Sequence, residues 1–304
     1  MTRIVIIGNS AAGFSCCEAL IKYSGDYEIT VISEEAALPY KRNLLIDYLS
    51  GNIQESELFL CAADFYEKNK IKFITDNKAI RVDARKQLVV LKDNNKISYD
   101  YLVISTGAKA SIPDVPGNSK DGVYAFYALE DIQKARQQLM LGDTVCVVGD
   151  PDLCLRLSQA IASKEKQAKI ISSPRPESFI TTEKAEWMEN LEVSEIIGEG
   201  AELKALKLNN GKVIGTSLVI FAGNYLPNTD FLKESGIKTD EGYICVDETM
   251  CTNIENIFAC GSASKIENQP LKSKSWEDTV REGTLTSSTI ITLLERRNTS
   301  CQRY

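Results

Sequence analysis

The sequence predicts an α/β fold with two similar domains, each built on a parallel sheet, the second inserted into the first. Three observations predict it. An apolar run, a glycine loop and a helical pattern open the chain over residues 3–34. The same succession restarts at residue 144, which makes it an internal repeat. A segment with two prolines and a glycine, residues 111–118, separates the two halves as a linker would.

The first half of the chain begins with a strand, a helix and a second strand. Residues 4–7 form a β-branched run, residues 11–22 are good helix formers, and residues 27–33 are again strand-like. A right-handed crossover makes the two strands parallel. The pattern then predicts a helix at 58–70 and strands at 71–75, 79–84, 87–92 and 101–105.

The second half repeats this order and returns to the first domain at its end. It contains a strand at 144–149, a helix at 152–164, strands at 168–172, 204–209 and 212–221, short strands within 239–260, and a long helix at 275–297. Length agrees with two domains at about 150 residues each. The predicted boundaries are 1–112 with 228–304 for the first domain and 113–227 for the inserted one.

Composition excludes several function classes. The chain has 304 residues, 35 basic and 42 acidic, for a net charge of −7. General attraction to nucleic acid therefore has the wrong sign. Histidine is absent, which removes Ser-His-Asp, Cys-His and His-ligated metal mechanisms. No metal site is expected.

The nine cysteines include no C-x-x-C pair. Reduced thiols in a cytosolic protein are the expected state. The opening apolar run of four residues is too short for a secretory signal, and no stretch approaches the roughly 20 apolar residues that span a bilayer. A cytoplasmic protein is expected.

The first glycine loop, residues 8–13, matches G-x-G-x-x-G with Ser10 at the second glycine. Gly8 permits the tight strand-to-helix turn, and Gly13 permits close packing of helix on sheet. A pyrophosphate would lie at the helix N-terminus, over Ser10, Ala11 and Ala12. Glu34, at the end of the second strand, is the acid that would bind ribose hydroxyls. The simpler alternative is a glycine turn that only packs.

Four further segments resemble a known family. They are 99–108 (YDYLVISTGA), 256–263 (NIFACGSA), 39–42 (PYKR) and 275–283 (SWEDTVREG). In this order they are similar to the pyridine-nucleotide-disulfide oxidoreductases, and most of all to NADH:rubredoxin and ferredoxin reductases. The resemblance covers nearly the whole chain. It implies two Rossmann-like dinucleotide-binding domains, each with three layers in the arrangement ββα, and FAD as cofactor.

The resemblance also implies site residues. In addition to the first glycine loop and Glu34, it places Lys41 and Arg42 near the flavin. It places backbone around Ala79 near the adenine, and Ser105, Thr106 and Gly107 along the cofactor. Gly261 and Ser262 would meet the ribityl and pyrophosphate region.

Two departures from the family pattern fall at positions that lie near the flavin in the family. Ser262 stands where the family usually has aspartate, and Asn43 falls at the position of the redox cysteine in disulfide-reducing members. With no C-x-x-C pair, a relay through a flavin and a disulfide is not expected. The family's C-terminal dimerisation domain has no counterpart after the 275–297 helix, so dimerisation through it is not expected.

The second glycine loop, residues 149–152 (GDPD), is degenerate. Only its first glycine remains, Pro151 has no N–H, and Asp150 and Asp152 bring negative charge to a phosphate position. Two unit charges about 4 Å apart repel by roughly 4 kcal/mol at an effective dielectric of 20. Arg156 and Ser173 replace acids that the family has near the nucleotide. NAD(P)H as a second cofactor is thus left open.

Two functions follow from these features. The first is an FAD-dependent oxidoreductase passing electrons between NAD(P)H and a small redox protein, such as rubredoxin, ferredoxin or an iron–sulfur subunit. Flavin suits this because it takes a hydride and gives up single electrons. The alternative is a flavin-bearing electron-transfer subunit of a larger complex that does not itself bind NAD(P)H. A flavin-binding scaffold without turnover is a third possibility.

Overall fold

The computed structural model describes residues 1–223 and 225–301, with side chains as far as residue 297. In chain order the strands are β1 (Thr2–Ile7), β2 (Tyr27–Ile32), β3 (Lys72–Ile74), β4 (Ala79–Asp83), β5 (Leu88–Leu91), β6 (Lys96–Ser98), β7 (Tyr101–Ile104), β8 (Ala108–Ala110), β9 (Val123–Ala125), β10 (Thr144–Gly149), β11 (Gln167–Ile171), β12 (Ala185–Met188), β13 (Val193–Glu199), β14 (Glu202–Leu208), β15 (Val213–Gly215), β16 (Leu218–Ala222), β17 (Tyr225–Pro227), β18 (Thr239–Asp240), β19 (Tyr243–Val246), β20 (Ile257–Ala259) and β21 (Ser264–Ile266).

The α-helices are α1 (Ala11–Ile21), α2 (Leu45–Leu49), α3 (Phe65–Lys68), α4 (Leu129–Leu141), α5 (Pro151–Ala162) and α6 (Trp276–Cys301). Within the part of the chain described, no helix has an apolar stretch long enough to cross a membrane.

The chain divides into two compact units. The first comprises 1–41, 59–108 and 227–304, and the second comprises 42–58 and 109–226. The segment 42–58 therefore groups with the inserted half, whereas the sequence assigned it to the first domain. Side-chain contacts give the reason. The Arg136 guanidinium lies 4.6 Å from the centre of the Tyr48 ring, and Gln133 Nε2 donates to Glu55 Oε2 at 2.9 Å.

The first unit is built on a five-stranded parallel sheet in the order β20-β7-β1-β2-β3. In its centre Ile4 lies between Ile29 of β2 and Tyr101 of β7. Helices α1 and α6 pack against each other, and an antiparallel sheet of β4, β5 and β6 completes the layers. One apolar cluster unites all three layers, which places the core on both faces of the parallel sheet.

The second unit repeats this plan with the order β12-β11-β10-β16-β9, all parallel. Val147 of β10 lies between Ile170 and Ile220. The antiparallel strands β13, β14 and β15 share an apolar cluster with this sheet, and α5 follows β10 directly. These two parallel sheets, each with an antiparallel partner and helices, agree with the predicted α/β class of two Rossmann-like domains.

Two predicted elements differ from the structure. The helix expected at 58–70 is reduced to α3. The backbone of Phe59 forms an antiparallel β-bridge with Tyr40, and the Leu60 N–H donates to Pro39 O at 2.8 Å, so these residues are extended and not helical. The strand expected at 212–221 is two strands. Thr216 separates them, and its Oγ1 donates to Thr144 O at 2.9 Å.

Candidate dinucleotide-binding site

Gly8 ends the first strand in a conformation that only glycine adopts readily. Its φ is +104°, and a Cβ there would lie 2.2 Å from the carbonyl oxygen of Ser105. The Ser105 hydroxyl in turn donates to Ile7 O at 3.0 Å and to Gly8 O at 3.1 Å. The strand end of β7 is thus fastened to the first glycine loop, which brings two of the predicted site segments together.

Gly13 lies in the first turns of α1. A Cβ at this position would be 2.0 Å from Gly8 O and 2.6 Å from the Ser105 Oγ. The helix can therefore run directly off the loop only because residue 13 has no side chain. This is the packing that the sequence pattern predicted for the last glycine of the motif.

The N-terminus of α1 carries donors suited to an anion. Ser10 is the N-cap in extended conformation, its side chain makes no cap hydrogen bond, and the first turn contains no acidic residue. The first amides of a helix have no partner within the helix, and the helix dipole favours negative charge there. This donor set fits the pyrophosphate of a dinucleotide such as FAD.

Three small residues from distant parts of the chain meet beside this helix end. Gly261 has φ +78°, and a Cβ on it would lie 3.1 Å from the Cβ of Ala12. A Cβ on Gly283 of α6 would lie 2.2 Å from Ala12 O. The turn of Gly261–Ala263, here called the Gly261 turn, therefore lies against the first glycine loop, with Ser262 exposed.

Glu282 is a site residue that the sequence reasoning missed. Its Oε2 accepts a hydrogen bond from the Gly261 backbone N–H at 2.7 Å. Lys274 Nζ donates to Gly261 O at 2.8 Å and Ser264 O at 2.9 Å. Both side chains are largely buried, at 14% and 15% exposed. An available signal was Gly283, a glycine inside a helix, which marks a close approach.

The predicted adenosine residues lie in the same unit as the first glycine loop, whose Gly8 N–H donates to Ile32 O at the end of β2 at 2.8 Å. Glu34 follows β2 on the surface, and its Oε1 is 3.2 Å from Lys78 Nζ. Ala79 begins β4 and is buried. The roles of both residues in adenosine binding remain predictions.

Thr106 and Gly107 are fixed by Asn228. Thr106 Oγ1 donates to Asn228 O at 2.8 Å, and Gly107 O accepts from the Asn228 N–H at 2.9 Å. Gly107 has φ +64°, so a glycine suits this turn. These hydrogen bonds link the loop that follows β7 to the loop that follows β17.

Lys41 and Arg42 fall on either side of a unit boundary. Lys41 ends the first segment of the first unit, and Arg42 begins the second unit. The Arg42 guanidinium lies 4.3 Å from the centre of the Tyr127 ring and donates to Tyr127 O at 2.7 Å. The predicted place of both residues near the flavin stays a prediction.

The second glycine loop has its helix N-terminus occupied by a side chain of the protein. Asp150 is the N-cap of α5, and its Oδ1 accepts from the Leu153 N–H at 2.9 Å. Pro151 stands at the first helical position. Gly149 retains the family geometry, with φ +134° and a Cβ position 1.9 Å from Ala222 O. Asp150 thus supplies at α5 the anion that a bound phosphate would supply.

The described thiols are all protonated at neutral pH. Burial raises the pKa of Cys61 and Cys251 to about 11, and that of Cys17, Cys146, Cys154 and Cys260 to about 12. The pKa of Cys16 and that of Cys245 are raised for the same reason. Cys301 lies outside the described side chains. Since the thiolate is the reactive form, these raised pKa values make the eight thiols less reactive than an unperturbed cysteine.

These features define a class of protein. Two parallel-sheet units, each with a glycine turn that leads from strand to helix, characterise the two-domain dinucleotide-binding oxidoreductases. The chain belongs to the pyridine nucleotide-disulphide oxidoreductase family, whose sequence model matches residues 2–283. It is accordingly an FAD-dependent oxidoreductase of a family named for its pyridine nucleotide.

Two similar proteins, one of them with a solved structure, illustrate the range of the family. The chain is 30% identical to the NADH-rubredoxin oxidoreductase of Clostridium acetobutylicum over 87% of its own length and 68% of that protein. The crystal structure of that enzyme superposes with a TM-score of 0.77 at 27% identity, over 94% of this chain and 74% of the other. The assimilatory nitrate reductase electron transfer subunit of Bacillus subtilis is 27% identical over 86% of this chain and 36% of its own length.

Proposed function

We propose that this protein passes electrons from NAD(P)H through FAD to a small iron–sulfur protein, without a redox-active disulfide. One NAD(P)H supplies two electrons, so two equivalents of a one-electron acceptor are reduced in each cycle. FAD, when bound, supplies the change from hydride chemistry to single-electron chemistry. The chain's own residues bind and orient it.

The observation that carries the proposal is the glycine geometry of the first loop, where a Cβ on Gly8 or Gly13 would meet neighbouring backbone at 2.2 and 2.0 Å. The helix that follows has no side-chain hydrogen bond at its N-cap and no acidic residue in its first turn. The Gly261 turn borders the same helix end. We propose residues 1–112 and 228–304 as the FAD domain and residues 113–227 as the NAD(P)-binding-like domain, although the contacts of residues 42–58 group that segment with the second unit. Within the first, the site comprises Gly8, Ser10, Ala11, Ala12, Gly13, Glu34, Ala79, Ser105, Thr106, Gly107, Gly261 and Ser262, with Lys41 and Arg42 nearby.

The thiols support direct transfer between flavin and acceptor. Every described cysteine has a raised pKa, and the position of the family's redox cysteine is Asn43. A disulfide relay needs a thiolate beside the flavin. Relatives named for rubredoxin support a rubredoxin-like acceptor.

A second candidate is favoured by the Asp150 contact. With its carboxylate on the Leu153 N–H, the helix end that would receive the nicotinamide dinucleotide already holds a negative charge. A flavin-bearing subunit that receives or returns its electrons through a protein partner would need no such site. A relative that is named as an electron transfer subunit supports this candidate.

Anaerobic reduction separates the two candidates. The FAD-loaded protein is mixed with NADH and then with NADPH, and the flavin absorbance is followed. Bleaching, followed by reoxidation on addition of oxidised rubredoxin or ferredoxin, is the result expected of the first candidate. If neither nucleotide bleaches a flavin that dithionite reduces fully, the first candidate is wrong and the second stands.

A further inference from the structure

One polar atom of the first glycine loop is buried without a partner. Asn9 lies between Gly8 and the N-cap residue Ser10, and among the described residues its Nδ2 has no hydrogen-bond acceptor. A buried amide donor that loses its water partners and finds no others is costly, so such groups in native proteins have a specific cause. In a loop at a helix N-terminus, a ligand that accepts a hydrogen bond from this amide is such a cause.

The other end of the same amide is held. The Tyr66 hydroxyl donates to Asn9 Oδ1 at 2.6 Å. The Tyr66 ring stacks on Phe73, with centroids 3.9 Å apart, and meets Phe65 edge-on at 5.2 Å. Because burial raises the pKa of Tyr66 further above its usual range, the hydroxyl stays protonated and acts as the donor. The amide oxygen is thereby assigned to Tyr66 and the amide nitrogen is left as a donor.

The carbonyl oxygens on either side of Asn9 accept hydrogen bonds from other donors. Gly8 O accepts from the Ser105 hydroxyl at 3.1 Å, and Ser10 O accepts from the Phe14 N–H at 2.9 Å. The loop directly precedes α1, whose first amides suit an anion. An oxygen of a bound pyrophosphate would provide the acceptor that the protein lacks for Asn9 Nδ2.

We propose that Asn9 is a side-chain ligand of the FAD pyrophosphate and that Tyr66 is its positioning residue. This rests on the proposed function, in which FAD occupies the first glycine loop. The neutral amide adds one hydrogen bond to an anion without adding charge. The loop therefore recognises the cofactor through a side chain as well as through the helix amides.

The test compares Asn9→Ala and Asn9→Asp. Apoprotein is titrated with FAD, and thermal unfolding is measured with and without FAD. The aspartate variant still accepts from Tyr66 but has lost the donor and places a charge near phosphate. We expect Asn9→Ala to bind FAD about tenfold to hundredfold more weakly, and Asn9→Asp to bind it more weakly still. Asn9→Ala removes an unpaired donor but also the acceptor of the Tyr66 hydroxyl, so the thermal readout is the rise in unfolding temperature that FAD produces, which should be smaller than in the parent.

Tyr66→Phe tests the positioning role. It keeps the stacking ring and removes the hydroxyl, so FAD binding should weaken several-fold in the parent and remain unchanged when added to Asn9→Ala. Tyr99→Phe is the matched control, since it removes another buried hydroxyl from the same apolar cluster and should leave FAD affinity unchanged.

The outcomes separate this inference from the proposed function. If the parent apoprotein does not bind FAD, the proposed function fails. If the parent binds FAD and Asn9→Asp binds it equally well, Asn9 serves only to hold Tyr66 and the inference is wrong. Equal effects of Tyr66→Phe in both backgrounds would overturn the positioning role.

Discussion

The Lys274 ammonium lies 2.8 Å from the Glu282 carboxylate, and this largely buried pair encloses the Gly261 turn from both sides. Lys274 donates to the carbonyl oxygens of Gly261 and of Ser264, the residue after the turn, and Glu282 accepts from the Gly261 N–H. The turn has Ser262 where the family usually has an aspartate, and two charged side chains hold it: Glu282 of α6 and Lys274 of the segment before α6.

Removing one partner of this pair should cost more than removing both. Lys274→Met leaves Glu282 as a buried charge without a counterion, and about 3 kcal/mol of unfolding free energy should be lost. Adding Glu282→Gln, whose side-chain oxygen can still accept from the Gly261 N–H, should restore much of it. Urea unfolding of the two single variants and the double variant measures this. Additive losses in the double variant would contradict the coupling.

Gly13→Val should release FAD. Its side chain would meet Gly8 O and the Ser105 hydroxyl, so α1 cannot keep its place against the loop. The flavin content of the purified protein, read from its absorbance, is the measurement. Gly215→Ala is the matched control, because no atom lies within 4 Å of a Cβ there. Stoichiometric FAD in Gly13→Val would count against the placement of the site.

No cysteine should be needed for flavin turnover. Serine replacement of each of the nine should leave the rates of flavin reduction and reoxidation within a few-fold of the parent. Loss of reoxidation in a variant that keeps its FAD would revive a thiol relay, and Cys61 is the first residue to examine.

The same thiols give a pH prediction. With Cys301 replaced by serine, alkylation by iodoacetamide at Cys61 and Cys251 should rise about tenfold per pH unit between pH 7 and 9, without a plateau. The sign follows because the reactive thiolate increases until the pH passes a pKa of about 11. An unperturbed thiol would level off near its pKa of about 8.5, and mass spectrometry of the labelled peptides distinguishes the two curves.

Rebuilding the second glycine loop should strengthen nicotinamide binding. The triple variant Asp150→Gly, Pro151→Gly, Asp152→Ala removes the carboxylate from the Leu153 N–H and returns small residues to the loop. Flavin bleaching by NADH should then be faster than in the parent at equal concentration. Asp150→Asn is a control that keeps a capping oxygen and removes only the charge. Fast bleaching of the unmodified parent at micromolar NADH would show that the Asp150 cap does not hinder the nucleotide.

The local sequence pattern predicts part of this architecture. The apolar runs at 4–7 and 144–149 predict central parallel strands, and Gly8 and Gly13 predict a strand–loop–helix unit, because a short apolar run and the geometry of a glycine are properties of a few consecutive residues. Asp150 followed by Pro151 is also a local signature of a capped helix start. Its charge was interpreted only as repulsive to phosphate, and the capping role was missed.

The sequence by itself determined the α/β class, the repeat of two parallel sheets, the family and the position of the first glycine loop. Only the tertiary structure decided that Glu282 accepts from Gly261, that Tyr66 fixes Asn9, and that residues 42–58 pack with the inserted unit. These pairs lie 21 and 57 residues apart in sequence. No local periodicity links them, because their contacts form only when sheet, helix and loop have packed into one core.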